Sequence, residues 1–337
     1  MIEQLKKPDG FILACLDDNF NWQKEWQKLD DCSLRCVDSG VIQVKPDADS
    51  FEGVVISCGI HGNETAPIEI VSQLISKIIK GELKPKINLL FILGNPASMK
   101  INQRFVSLNM NRLFSGAHTN YTKDAENTYE LERAENLEKC VKVFYEKQSL
   151  SSRLHLDLHT AIRPSFHKTF AIRPHTDHLF LPGSKFLLRC LGIEAVLQHN
   201  KPSTTFSYYS VSQLNAEAYT LELGKVKPFG ENDPDDFSLA INCLEALVEQ
   251  KNLLEVELPD SKPLKNYEVV GEIIKQSENF ILHLGKDVEN FTPFPPDFVI
   301  AEDSDYVYRV GETEESVVFP NPDVPVGQRV AVMVKTV

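Results

Sequence analysis

The sequence predicts an α/β fold, a largely parallel sheet flanked by helices, followed by a small all-β domain. Three observations carry this expectation. An unbroken apolar run, VVISCGI at 54–60, ends at a glycine-bearing turn and opens into a helical pattern. Strand-like and helix-like segments then alternate as far as residue 252. Beyond about residue 255 the helical period is lost, and runs rich in Val, Ile and Phe are separated by Gly, Pro and Asp.

Each element follows from its pattern. The run at 54–60 does not alternate, so it reads as a strand covered on both faces. From Glu64 the apolar positions Ile68, Val71, Leu74, Ile75, Ile78 and Ile79 recur every three or four residues up to Gly81, the period of an amphipathic helix. INLLFILGN at 87–95 is a second buried strand, closed by Asn95-Pro96. The charged stretch 124–148 has helical spacing, and RLHLDLHT at 153–160 alternates as a strand does. A helix at 183–191, strands at 194–198 and 218–224, and a helix at 235–252 complete the alternation, which implies a largely parallel sheet. LPDSKPL at 258–264 reads as a linker, and YEVVGEII, NFILHLG, DYVYRVG and QRVAVMVKTV as the strands of the second domain. The expected division is 1–254 and 255–337, in keeping with 337 residues being long for one core.

Composition excludes several functions. A 42% hydrophobic, 25% charged chain is an ordinary globular protein, and no window approaches the roughly 18 apolar residues of a membrane span. The opening MIEQLKKPDGFILACLDD lacks the long apolar core of a secretory signal, so a cytoplasmic location is expected and no membrane partner. A formal charge of -13 without a basic stripe argues against nucleic acid, and any anionic substrate must find its positive charge inside the site. Assembly into a homo-oligomer stays open. The seven cysteines show no Cys-x2-Cys spacing and read as reduced, mostly buried thiols.

Four motifs carry chemistry. GIHGNETAP at 59–67 sets His61 and Glu64 on the turn between a buried strand and a helix, where open α/β sheets place their sites. Imidazole and carboxylate together suit zinc, whose catalytic sites take three protein ligands and leave a position for water. The plainer reading is a helix start in which Glu64 complements the dipole. HLDLHTAIR at 155–163 puts His155, Asp157 and His159 on one strand face, which makes a third ligand available: His159, at the carboxyl end of the strand, is better placed for a site at the sheet edge than His155 two residues deeper, with Asp157 orienting an imidazole. In AYTLELG, Glu222 interrupts an apolar strand, and a carboxylate there is either ion-paired or functional. Beside an activated water it would be a general base. RFVSLNMNRLFSG at 104–116 gathers Arg104, Asn109, Asn111 and Arg112, residue types that bind carboxylates and stabilise an oxyanion when they are not simply surface residues.

GIHGNETAP, GNPASMKINQRFVSLNMNRLFSG, HLDLHTAIR and TLELGKVKPFGEN, in this order, resemble the succinylglutamate desuccinylase and aspartoacylase family, which is related to zinc carboxypeptidases. The C-terminal VVFPNPDVPVGQRVAVMV is similar to the desuccinylase branch. The resemblance implies a zinc-carboxypeptidase-like fold and one Zn2+ per chain on His61, Glu64 and His159. It further implies Glu222 as the catalytic carboxylate, Arg104 polarising the scissile carbonyl, and Asn111 and Arg112 holding a substrate carboxylate. Family members of the aspartoacylase type read Asp-Leu-Asn-Arg where this chain has Asn109-Met110-Asn111-Arg112. The implied reaction is hydrolysis of a small anionic N-acyl amino acid, N-succinyl-L-glutamate in the desuccinylase branch. Since that molecule has three carboxylates, Arg163 is an additional candidate clamp, on its nearness to the DLH motif. An aspartoacylase-like deacylase, a metallocarboxypeptidase and a non-catalytic binding protein are the rival readings.

Overall fold

The computed structural model describes every residue except 125–127, 148–149, 179, 256–262, 286 and 305. Its strands are β1 (Gln27–Lys28), β2 (Cys32–Asp38), β3 (Val41–Pro46), β4 (Glu52–Cys58), β5 (Asn88–Leu93), β6 (Ser152–Ala161), β7 (Phe170–Arg173), β8 (Ala195–Gln198), β9 (Glu217–Lys225), β10 (Lys265–Ile274), β11 (Ile281–Leu282), β12 (Thr292–Phe294), β13 (Val299–Asp303), β14 (Tyr306–Arg309), β15 (Glu315–Val318) and β16 (Arg329–Thr336). Its helices are α1 (Ile2–Leu5), α2 (Gly10–Leu16), α3 (Thr65–Lys80), α4 (Pro96–Lys100), α5 (Thr128–Lys147), α6 (Ser184–Cys190), α7 (Phe206–Leu214) and α8 (Ser238–Val248). Thirteen strands form one mixed sheet in the order β1-β2-β3-β5-β4-β6-β9-β7-β8-β10-β16-β15-β12, and β11-β13-β14 form a small second sheet.

The centre of the large sheet, β5-β4-β6-β9, is parallel, as the unbroken apolar runs require. Val54, Ile56 and Cys58 of β4 pack on one side with α2, α3, α6 and α8. Val55 faces the other side, against α5 and α7. Every second residue therefore meets a different helical layer, which is why the strand carries no polar alternation. Four of the C-terminal strands, β10, β16, β15 and β12, extend this sheet: β10 pairs parallel with β8 through Lys265–Glu268 and antiparallel with β16.

Most expected elements lie within a few residues of their predicted spans. The expected helix at 235–252 is shorter, a 3-10 turn at Pro234–Phe237 followed by α8. Several elements escaped the pattern: the short helices α1, α2 and α4, the strands within residues 27–46, the short β7, α7, and the C-terminal strands β12, β13 and β15. The α7 segment FSYYSVSQL is composed largely of weak helix formers. It is held instead by its cap, where the Thr205 hydroxyl accepts from the Tyr208 amide at 3.3 Å. Most of the expected linker 258–264 lies outside the described residues. The cysteines are unpaired and buried, except Cys140, which is half-buried. Among the described residues no helix is long and apolar enough to cross a membrane.

Candidate metal centre and catalytic cleft

The site begins at the carboxyl end of β4. Two glycines make its turn possible. Gly59 sits at φ +62, and a Cβ on Gly62 would lie 2.2 Å from the Met99 backbone nitrogen. The chain can then turn over α4 and bring His61 and Glu64, both 2% exposed, to the head of α3. Neighbouring β6 delivers His159, equally buried, from its carboxyl end. His61 Nδ1 stands 2.8 Å from Glu64 Oε1, and His159 Nδ1 stands 2.8 Å from Glu64 Oε2. One ligand atom from each of the three residues lies within 4.8 Å of the others, a spacing suited to a single ion.

Hydrogen bonds behind the rings decide which nitrogens face the centre. Asn109 Oδ1 accepts the Asn111 amide at 3.1 Å, which orients the Asn109 side chain, and it lies 3.0 Å from His61 Nε2. That nitrogen is therefore the donor, and Nδ1 is the inward atom. Asp157 Oδ2 accepts from His159 Nε2 at 3.0 Å, leaving that Nδ1 inward as well. Each candidate ligand thus has the outer partner that metal-bound histidines require. Two imidazole nitrogens and a carboxylate, closed to water on their outer sides, fit a zinc-type cation. The asparagine that departs from the Asp-Leu-Asn-Arg pattern is the residue that orients His61.

The electrostatics match. Burial alone would raise Glu64, but His61, His159 and Arg104 override it and hold the carboxylate well below its usual range. Burial and Arg104 push His61 down to about 4. For His159, burial is overcome by Asp157 and Glu64, which raise it. Arg104 Nη1 donates to Glu64 Oε1 at 2.6 Å, so this arginine is at the centre itself. Glu222 of β9 is the register partner of His159 and is 8% exposed. Burial and the nearby Glu64 charge push its carboxyl up to about 7, and Oε2 has no hydrogen-bond partner among the described residues.

The loop from Arg104 to Arg112 hangs on a residue that the sequence did not single out. Glu130, fully buried in the first turn of α5, accepts from the amides of Val106 at 2.8 Å, Ser107 at 2.9 Å and Leu108 at 2.5 Å, and from Asn95 Nδ2 at 2.8 Å. Arg133, one turn later, donates to the carbonyls of Leu93, Gly94 and Ser39 and fastens α5 to the end of β5. Asn111 is buried, and its Oδ1 accepts the Phe206 amide at 3.0 Å. Arg112 is exposed, and its Nη1 donates to the Asn111 carbonyl at 2.9 Å. Desolvation and the charges of Arg329 and Arg104 lower its guanidinium from the usual arginine range, and it stays charged. No carboxylate pairs with it among the described residues. Arg163 is half-buried on the loop after β6, four residues beyond His159, and outside the His–Glu–His group. His155 is also outside it, bonded to Ser57 and Ser210.

An α/β sheet with a buried His–Glu–His group at the carboxyl edge of its parallel strands, and a carboxylate held near neutrality beside it, defines a hydrolase with a site able to hold a metal ion. The chain belongs to the succinylglutamate desuccinylase/aspartoacylase family. Residues 50–248 match that family's catalytic domain, and residues 262–337 match its barrel-sandwich hybrid domain. The chain is 42% identical over 309 residues to the succinylglutamate desuccinylase of Ectopseudomonas mendocina, covering 90% of each. It is 41% identical to that of Shewanella piezotolerans, covering 100% of this chain and 98% of the relative. The crystal structure of the succinylglutamate desuccinylase from Vibrio parahaemolyticus superposes with a TM-score of 0.87 at 37% identity, covering 97% of this chain and 95% of that one.

Proposed function

We propose that this chain is a zinc-dependent amidohydrolase that cleaves N-succinyl-L-glutamate to succinate and L-glutamate, the last step of arginine degradation through succinylated intermediates. The observation that carries the reading is the convergence of His61 Nδ1, Glu64 and His159 Nδ1 on one centre beside the unpartnered Oε2 of Glu222. The names of the close relatives supply the substrate. The catalytic part is taken as 1–254 and the β part as 255–337.

A zinc ion held by His61, Glu64 and His159 supplies Lewis acidity toward water and toward an amide carbonyl. Glu222 does the proton work. Its carboxylate accepts a proton from water as the water oxygen bonds to the succinyl carbon. It returns that proton to the glutamate nitrogen as the C–N bond breaks. Burial and the Glu64 charge raise its carboxyl above the usual carboxylate range, which makes it a better proton acceptor, and the charge of a bound zinc would draw it back down and ease release of the proton. Arg104 donates to the oxyanion that develops at the carbonyl. Arg112 and Asn111 Nδ2 hold one substrate carboxylate, and Arg163 is proposed for another.

The test is a steady-state panel on zinc-loaded protein with N-succinyl-L-glutamate, N-acetyl-L-aspartate and short peptides. A preference for N-succinyl-L-glutamate in kcat/KM is expected. Preference for a peptide would make the chain a carboxypeptidase, and preference for N-acetyl-L-aspartate an aspartoacylase.

A further inference from the structure

We propose that Ser210, His155 and Ser57 form a positioning chain that locks Asp157, and through it the candidate metal ligand His159, so that the chain sets how tightly the metal is held. The inference rests on the metal role proposed above for His61, Glu64 and His159.

The geometry leaves little freedom in where the protons lie. Ser57 Oγ donates to Asp157 Oδ1 at 2.5 Å, and a hydroxyl has one hydrogen to give. His155 Nε2 lies 2.8 Å from the same Oγ and must therefore be the donor of that pair. Its other nitrogen, Nδ1, is then an acceptor, and Ser210 Oγ at 2.7 Å donates to it. Hydrogen bonds run in one direction, from Ser210 to His155 to Ser57 to Asp157. At Asp157 they meet the donor coming the other way, His159 Nε2 at 3.0 Å. Both carboxylate oxygens are consequently engaged, one by Ser57 and one by His159. Rotation of the carboxylate would break two bonds at once.

The fold brings these groups together from three elements. Ser57 of β4 and Asp157 of β6 are register partners. His155 and Asp157 lie two residues apart on β6 and share a face. Ser210 descends from α7, whose Phe206 packs edge-on against His155 at 4.7 Å between ring centres. Ser57, His155, Asp157 and Ser210 are all fully buried. In such surroundings an orphaned hydrogen-bonding group is costly, so the chain is held in one arrangement. Apolar side chains of similar size would fill this layer without that cost. A four-member polar relay that ends on the ring of a candidate ligand is explained by the orientation it imposes. The other end of α7 is anchored on Asn111 through the Phe206 amide, so one helix touches both the relay and the loop proposed to bind substrate.

The decisive measurement is the zinc dissociation constant by chelator competition, together with the electronic spectrum of the cobalt-substituted protein. Wild type is compared with Ser57→Ala, Ser57→Thr and Ser210→Ala. Ser57→Ala should weaken zinc by about 10- to 100-fold, the range for outer partners of metal ligands, and shift the cobalt bands. Ser57→Thr keeps the hydroxyl and should restore both. Ser210→Ala, at the far end, should weaken zinc by a smaller factor and keeps the test usable if Ser57→Ala does not fold. A purely structural role predicts a lowered unfolding midpoint with the zinc constant and cobalt spectrum of wild type, and that result overturns the proposal. A wild-type chain that binds no zinc overturns the metal reading and this inference with it. Zinc bound equally by wild type and the variants overturns only the inference.

Discussion

Glu222 and His159 are direct partners across the β6–β9 ladder, and Glu222 presents an oxygen without a hydrogen-bond partner among the described residues beside the group that His159 joins. A structural carboxylate in an apolar strand would be ion-paired; this one is flanked by Glu64, another carboxylate, which raises the cost of its charge. Glu222→Gln keeps size and hydrogen-bonding capacity but cannot accept a proton from water. Hydrolysis of N-succinyl-L-glutamate should fall by about 10²- to 10⁴-fold, with zinc content and substrate affinity retained. Turnover within a few-fold of wild type would remove Glu222 as the base.

Metal content separates the two histidines of β6. Elemental analysis should find about one zinc per wild-type chain. His61→Ala, Glu64→Ala and His159→Ala should each strip it, because each removes one of the three converging ligand atoms. His155→Ala should still take up one zinc at saturation, held more weakly, since its ring bonds to Ser57 and Ser210 and is outside the group of candidate ligands. Full zinc in the His61 and Glu64 variants would refute the centre.

Much of this arrangement was legible in the residues, for identifiable reasons. The run VVISCGI and the stripe from Ile68 to Ile79 are periodic, and periodicity is local, so β4 and α3 could be read directly. His61 and Glu64 are three residues apart on the connecting turn and were visible together. His155 and His159 share a strand face, so only the place of His159 at the carboxyl end of the strand favoured it; what packs against each tells them apart, Ser57 and Ser210 against one, Glu64 and Asp157 against the other. Glu130 was invisible because its partners are backbone amides of a loop more than twenty residues away, and amides leave no mark on composition. Helix α7 was missed because its stability comes from a cap and tertiary packing rather than from propensity.

Stability should fall in acid, with His155 as one source. Burial, reinforced by the charge of His159 and opposed by that of Asp157, lowers His155 from 6.5 to about 4 in the fold. The groups facing it are Ser57, Ser210, Phe206, Asp157 and His159. Between those two pH values the unfolded chain binds a proton at His155 that the folded chain does not. The native state is therefore unaffected above about pH 6.5 and is progressively destabilised as pH falls toward 4, by on the order of 3 kcal/mol in all. In metal-free protein, urea midpoints at pH 7 and pH 4.5 should differ less in His155→Gln than in wild type. The quantity to read is that difference, because the substitution also shifts stability at pH 7. Equal acid losses in the two proteins would show that His155 does not contribute.

The arginine-bearing loop should depend on Glu130 more than on any residue within it. One carboxylate gathers the amides of Val106, Ser107 and Leu108 between Arg104 on one side and Asn109 to Arg112 on the other. Glu130→Gln replaces one acceptor oxygen by a donor, so at least one of these amides loses its partner and another donor is turned toward it. Orphaning a buried donor costs about 1 to 3 kcal/mol, and the loop can recover part of that only by moving away from α5. Such movement displaces Arg104 and Arg112, and it also pulls on two candidate metal ligands, Glu64 through Arg104 and His61 through Asn109. The expected result, in protein saturated with zinc, is a KM for N-succinyl-L-glutamate raised by at least about tenfold, and zinc is held more weakly than in wild type because Asn109 moves with the loop. Hydrogen exchange should quicken at residues 106–108 and remain slow in β4. Unchanged exchange at those amides together with a wild-type KM would show that the loop keeps its shape by other means.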